Sequence, residues 1–264
     1  MFEDLFNVPL IIAGPTIIGL LCLFALVGLL MVRRYVLPHL HIQDHDSHFI
    51  GTMVHSVMIF YGLALALMAV DVSETYTAVE KIVSGEATAL NALYRDVSSY
   101  PEPIRLELQQ ELRTYTDQVI HGAWPLLRQG KIPTAGIEHM SRFQAVLDKF
   151  EPTTEGQKIL HAETLRAYNQ LIQARRQRLD AASTGLPAVM WTVIFAGAFI
   201  SLCASFFFKV EDAHLHGILV MLLAVFIGVL IFMIFALDQP FRGDLGLSSE
   251  PYQLIYDHLM KGNL

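Results

Sequence analysis

Charge is scarce in this chain. Asp, Glu, Lys and Arg make up 16% of its 264 residues, 53% are hydrophobic, and the mean hydropathy is +0.45. Soluble domains carry about 25% charged residues, so an ordinary water-soluble globule is excluded. No run of Lys or Arg occurs and the net charge is −7, which speaks against nucleic acid as a partner. The only cysteines, Cys22 and Cys203, lie inside apolar blocks and suggest no disulfide framework. Catalytic signatures are missing too. There is no Gly-x-Ser-x-Gly, His-Glu-x-x-His, glycine-rich phosphate loop or dinucleotide fingerprint, so neither an enzymatic activity nor a cofactor is expected.

What the chain has instead is long apolar blocks. Residues 8–32 and 186–208 contain no charge, residues 49–70 contain His55 as their one ionisable group, and residues 217–237 form a fourth block. A helix needs roughly 20 residues to cross about 30 Å of hydrocarbon. The expected fold class is therefore all-α: a polytopic membrane protein with four transmembrane helices and a helical-bundle insert between spans two and three. The expected division is 1–70 for spans one and two, 71–183 for the bundle, 184–238 for spans three and four, and 239–264 for a polar C-terminal tail. The residues ahead of the first block are acidic where a secretory leader is basic, and no small-residue cleavage site follows, so that block reads as a retained helix.

The insert reads as helical throughout, with no strand pattern. Tyr76, Val79, Val83, Ala87, Leu90, Tyr94 and Val97 continue a helical stripe, which carries the second span into the aqueous phase as far as Ser98. Pro103 opens a helix expected to end near Trp124-Pro125, and another is expected from Ile137 to Phe150. A long helix after Pro152 is expected to feed directly into the third span, and Pro251 to Met260 suggests a short amphipathic helix. Glu86 lies on the apolar side of the first bundle helix. A carboxylate there must be paired, hydrogen-bonded or protonated, and an ion pair with a bundle arginine is the expected solution.

Polar residues inside the apolar blocks mark candidate sites. Thr52, His55, Ser56 and Gly62 share one side of the second span with His48, and such a stripe should face protein or water, not lipid. These are the pore-lining candidates, the alternative being that the hydroxyls bond their own helix. In the third span Gly197, Ser201 and Ser205 form a small-xxx-small packing pattern. Four crossings bring His39, His41, His45 and His48, with Asp44 and Asp46, to the same membrane edge as Glu211, Asp212, His214 and His216. Imidazoles mixed with carboxylates suit metal binding or pH sensing, and equally an ordinary solvated edge. Arg33 and Arg34 argue that this edge is cytoplasmic, while Arg175, Arg176 and Arg178 argue the reverse.

An ordered set of local motifs adds a family resemblance. Glu86-Ala-x-x-Leu-Asn-x-Leu-Tyr94, Trp124-Pro125, Arg175-Arg-x-Arg-Leu before Leu186-Pro-x-x-x-Trp191, and Asp238-x-Pro-Phe-x-Gly243, placed among four spans, resemble the bacterial bestrophin-like family over nearly the whole chain. The resemblance implies a multi-pass protein of the bacterial inner membrane that assembles with itself, as a pentamer in bestrophins, embedded in lipid and conducting small ions. Bestrophins are chloride channels with a neck of bulky apolar residues spaced four apart on the second span. Around Phe60 that spacing meets Ser56 and Ala64, so no such ladder is expected here. The leading expectation is a homo-oligomeric ion channel, modulated by pH or metal at the histidine edge. The alternative is a membrane-anchored sensor or assembly protein whose bundle binds a partner.

Overall fold

The computed structural model describes residues 9–39, 44–134, 136–208 and 212–261, with residues 44–50 described by their backbone. Among the described residues every regular element is helical. Four helical stretches are long and apolar enough to cross a membrane, which makes this a multi-pass membrane protein. The chain folds as two compact units, Met1–Thr75 with Gly185–Gln239, and Tyr76–Thr184 with Pro240–Leu264.

The first unit holds α1 (Leu10–Met31), the first half of α2 (Asp44–Val97), α7 (Ala188–Phe206) and α8 (Ala213–Leu237). α1 lies along α8 and also meets α7. Small residues permit the close approaches. A side chain at Gly28 would fall onto the Phe206 ring, one at Gly197 onto the Tyr61 ring, and one at Gly228 would press on Ile18. Tyr61 fixes the α2–α7 contact by donating its hydroxyl to the Ile194 carbonyl at 2.9 Å. Ala25, Leu29, Leu65, Ile194, Ala198, Leu202, Ala224 and Ile231 fill the core between them. The small-xxx-small pattern of α7 lies in this packing: Gly197 accepts Tyr61, and Ser201 and Ser205 are buried.

The second unit holds the rest of α2, then α3 (Ile104–Gln118), α4 (Trp124–Arg128), α5 (Ile137–Leu147), α6 (Glu155–Ala181) and α9 (Glu250–Ile255). α6 starts with a capping box in which the Thr154 hydroxyl accepts from the Gln157 amide at 3.2 Å. The helix expected to stop near Trp124-Pro125 instead continues to Arg128. A wider π-helical turn over Val119–Ala123 precedes the proline and absorbs its missing amide. Gly130, at φ 71°, ends α4 by turning the chain left-handed. Nor is α6 continuous with α7: it stops at Ala181, and a turn followed by an irregular stretch reaches Pro187 before α7 begins. The C-terminal segment, expected as a polar tail, sends Phe241, Leu247, Tyr252 and Met260 into the bundle core. Trp124 packs edge-on to Phe241 at 5.8 Å and donates its indole N–H to the Leu247 carbonyl at 2.9 Å.

Candidate functional site

α2 is 54 residues long, so at ~1.5 Å per residue it spans about 80 Å. Its buried face is one continuous stripe: Val54, Tyr61, Leu65 and Val72, then Val79, Val83, Leu90, Leu93, Tyr94 and Val97. The opposite face, half a turn away, is open along its length. It begins with exposed Thr52 and His55 and half-buried Ser56, and the Ser56 hydroxyl donates to the Thr52 carbonyl at 3.0 Å. Gly62 has open space around it. Ile59, Leu63 and Leu67 follow, each more than half exposed, and then exposed Ser73, Glu74, Thr77, Lys81, Ser84 and Thr88.

This order corrects the expectation built on Phe60. Bulky apolar residues spaced four apart are present, one residue out of that register, as Ile59, Leu63 and Leu67. Phe60 itself is 73% exposed, but the residues four away from it are Ser56 and Ala64, so the apolar series runs through its neighbour Ile59.

The two halves of the histidine edge each make their own contacts. The helix α2 begins at Asp44, before the expected start near Phe49, so Asp44, His45, Asp46 and His48 lie in its first turns. His41 and Glu211 lie outside the described residues. His39 is exposed and donates its Nδ1–H to the Tyr35 carbonyl at 2.8 Å. Asp212 caps α8 by accepting from the backbone N–H of His214 at 2.8 Å, and the exposed His214 ring stands 3.7 Å from the same carboxylate. His216 is buried and donates from Nε2 to the Ser205 carbonyl at 3.1 Å, tying α8 to α7. Among the described residues no three His, Cys, Asp or Glu side chains come together as a metal site would need.

Glu86 is fully buried in the second unit. Its carboxylate accepts from Arg178 Nε at 2.6 Å and Nη2 at 3.3 Å, and from the Tyr115 hydroxyl at 2.6 Å. The guanidinium lies 5.9 Å from the Trp124 ring centre and 6.0 Å from that of Tyr252. Burial, then the neighbouring carboxylate, hold the Tyr115 hydroxyl well above the usual phenol range, so it stays a donor. Burial works against the charge on Arg178, but Glu86 together with the Tyr252 and Tyr115 side chains outweighs it and the net shift is upward. The group is thus an internal ion pair built from the Glu86, Trp124 and Arg178 motifs together, with Arg178 Nη1 buried and without a hydrogen-bond partner among the described residues.

The profile of the Bestrophin-like domain matches residues 19–252, which is most of the chain. The chain belongs to the bestrophin-like family. Solved structures of bacterial bestrophin homologs share the fold. One single-substitution variant from Klebsiella pneumoniae superposes with a TM-score of 0.67 at 11% identity, covering 96% of this chain and 98% of that one. Another from the same organism gives 0.65 at 11% identity with 95% and 99% covered. A third gives 0.64 at 13% identity, with 94% and 98% covered. Comparison with curated proteins finds no match. At such low identity the bestrophin likeness is one of fold, and the chemistry rests on this chain's own residues.

Proposed function

We propose that this chain is one subunit of a homo-oligomeric ion channel of the bacterial inner membrane, with the open face of α2 lining the pathway. The observation that carries the reading is the order of side chains on that face. Thr52, His55 and Ser56 form a polar mouth, Ile59, Leu63 and Leu67 an apolar constriction, and Ser73, Glu74, Thr77, Lys81, Ser84 and Thr88 a polar and charged continuation. Hydroxyls and an imidazole facing hydrocarbon would cost several kcal/mol in total, whereas around a shared axis they meet water. An apolar ring between polar stretches admits an ion only when it is wide enough to stay wet, which makes it a gate or filter. Family membership supports the same reading, and a pentamer is the assembly that the family resemblance implies. His39, His45, His48 and His214, with Asp44, Asp46 and Asp212, would stand at the mouth, where proton or metal binding would change the local charge.

The test is ion flux through purified protein in liposomes between pH 5 and 8. Flux above protein-free vesicles, changed in size or selectivity by Leu63→Ala and in pH response by His55→Ala, is the expected result. Background flux at every pH, from protein that runs as a monomer, would favour the sensor or assembly reading and end this one.

A further inference from the structure

The second unit contains a groove unrelated to the open face of α2. It lies between α3, through Gln110, Arg113, Thr114 and Asp117, and the C-terminal turn, through Tyr256, Met260 and Lys261, and its volume is about 410 Å³. That is within the range of small-molecule sites. Its charges are unevenly satisfied. Lys261 is paired with Asp257 at 2.8 Å, and Asp117 with His121 at 3.0 Å. Arg113 has no carboxylate partner among the described residues. Its Nη2 donates to the Tyr94 hydroxyl at 2.9 Å, and its Nε is buried with nothing to bond. No carboxylate bonds this half-buried guanidinium directly, so an anion seated against it would gain a charge-assisted hydrogen bond. Tyr256 supplies an apolar wall beside it, with Met260 buried behind, and the Thr114 hydroxyl is spent on the Gln110 carbonyl at 2.9 Å.

We propose that this groove binds a small organic monocarboxylate with an aromatic or aliphatic body. The carboxylate meets the Arg113 guanidinium, with Lys261 at the rim as the second cation, and the body lies against Tyr256. Inorganic phosphate fits less well. It lacks the apolar part, and its extra charge would face Asp117 with only one uncompensated cation to offset it.

Benzoate is the probe, with acetate and inorganic phosphate as comparisons, titrated calorimetrically into the full-length protein in detergent. The site predicts saturable benzoate binding, weaker acetate binding, and no displacement by phosphate. Losing a charge-assisted hydrogen bond should weaken benzoate about 10-fold or more in Arg113→Gln. Lys261→Gln, at an exposed position that the fold does not need, should weaken it roughly 3-fold, the scale of an exposed charge contact. Lys131→Gln, away from the groove, should leave it unchanged. Absence of saturation at about 10 mM, where even a 1 mM site would register, overturns the proposal. So does benzoate affinity unchanged in Lys261→Gln and Arg113→Gln, or tighter binding of phosphate than of benzoate. If Arg113→Gln does not fold, Lys261→Gln together with Arg113→Lys, which keeps the charge and loses the planar fork, decides the matter. Because the readout is binding, it stands or falls independently of ion flux.

Discussion

A carboxylate enclosed among aliphatic side chains must bring its own partners, and Glu86 has three hydrogen bonds from two residues. Removing its charge strands Arg178, so Glu86→Gln should lower unfolding stability by about 3–5 kcal/mol. Tyr115→Phe loses one bond to a charged acceptor and should cost about 1.5–3 kcal/mol. The pair should be less than additive, because they share the carboxylate. Denaturant unfolding of the purified protein measures both. Glu86 was legible as a buried charge from its place between Val83 and Leu90, but its partner was not: Arg178 lies 92 residues away, on a helix whose rotation is set by packing. Asp96 offers a different residue-level test. Burial, then the nearby Glu163, raise its pKa in the folded protein. Its proton is therefore held more tightly folded than unfolded, and stability contributed by this group falls as pH rises from the unfolded value through the raised one. Asp96→Asn should stabilise modestly at pH 7 and change little at pH 3, read as the thermal midpoint at each pH.

At the scale of elements, the four spans were plain from length and apolarity alone, and the long reach of α2 from its stripe beyond Asp71. The rotation of α2 within the membrane was not. Where lipid is as apolar as the protein core, hydrophobic periodicity fades, and the few polar residues leave the face uncertain by a residue or more. Phe60 was therefore an unreliable reference, and Ile59, Leu63 and Leu67 emerge only once Tyr61 and Leu65 are seen to face inward. Trp124-Pro125 misled for another reason, because a π-turn can accommodate a proline that would stop a regular helix. The contact that sets α2's rotation is itself testable. Gly197→Val would drive a side chain into the Tyr61 ring and should destabilise by about 1–3 kcal/mol. Tyr61→Phe keeps the ring and gives up only the bond to the Ile194 carbonyl, about 0.6 kcal/mol for such a contact in a membrane protein. Thermal stability in detergent should rank the two variants in that order.

For the molecule as a whole, the decisive question is what the open face of α2 faces. One chain cannot enclose a pathway with a single lining helix, whereas copies around an axis can, and a closed ring makes the same residue of every copy converge there. Leu63 is the position that separates a shared axis from lipid. In protein lacking native thiols, with Cys22→Ala and Cys203→Ala, a Leu63→Cys substitution should react with a charged, membrane-impermeant thiol reagent and lose ion flux as it does so. Leu65→Cys, two residues and so about 160° away on the same helix and buried in the core of the first unit, should react far less and keep its flux. On a face turned to lipid neither position would meet the aqueous reagent, and equal protection of both would remove α2 from the pathway. The oligomer adds an independent measure: particles viewed down the membrane normal should show a ring with its narrowest density at the level of Ile59 to Leu67. If that level is instead a filled helical core with no axis, the polar residues at Thr52, His55 and Ser56 serve packing between copies, and conduction must be sought elsewhere or abandoned.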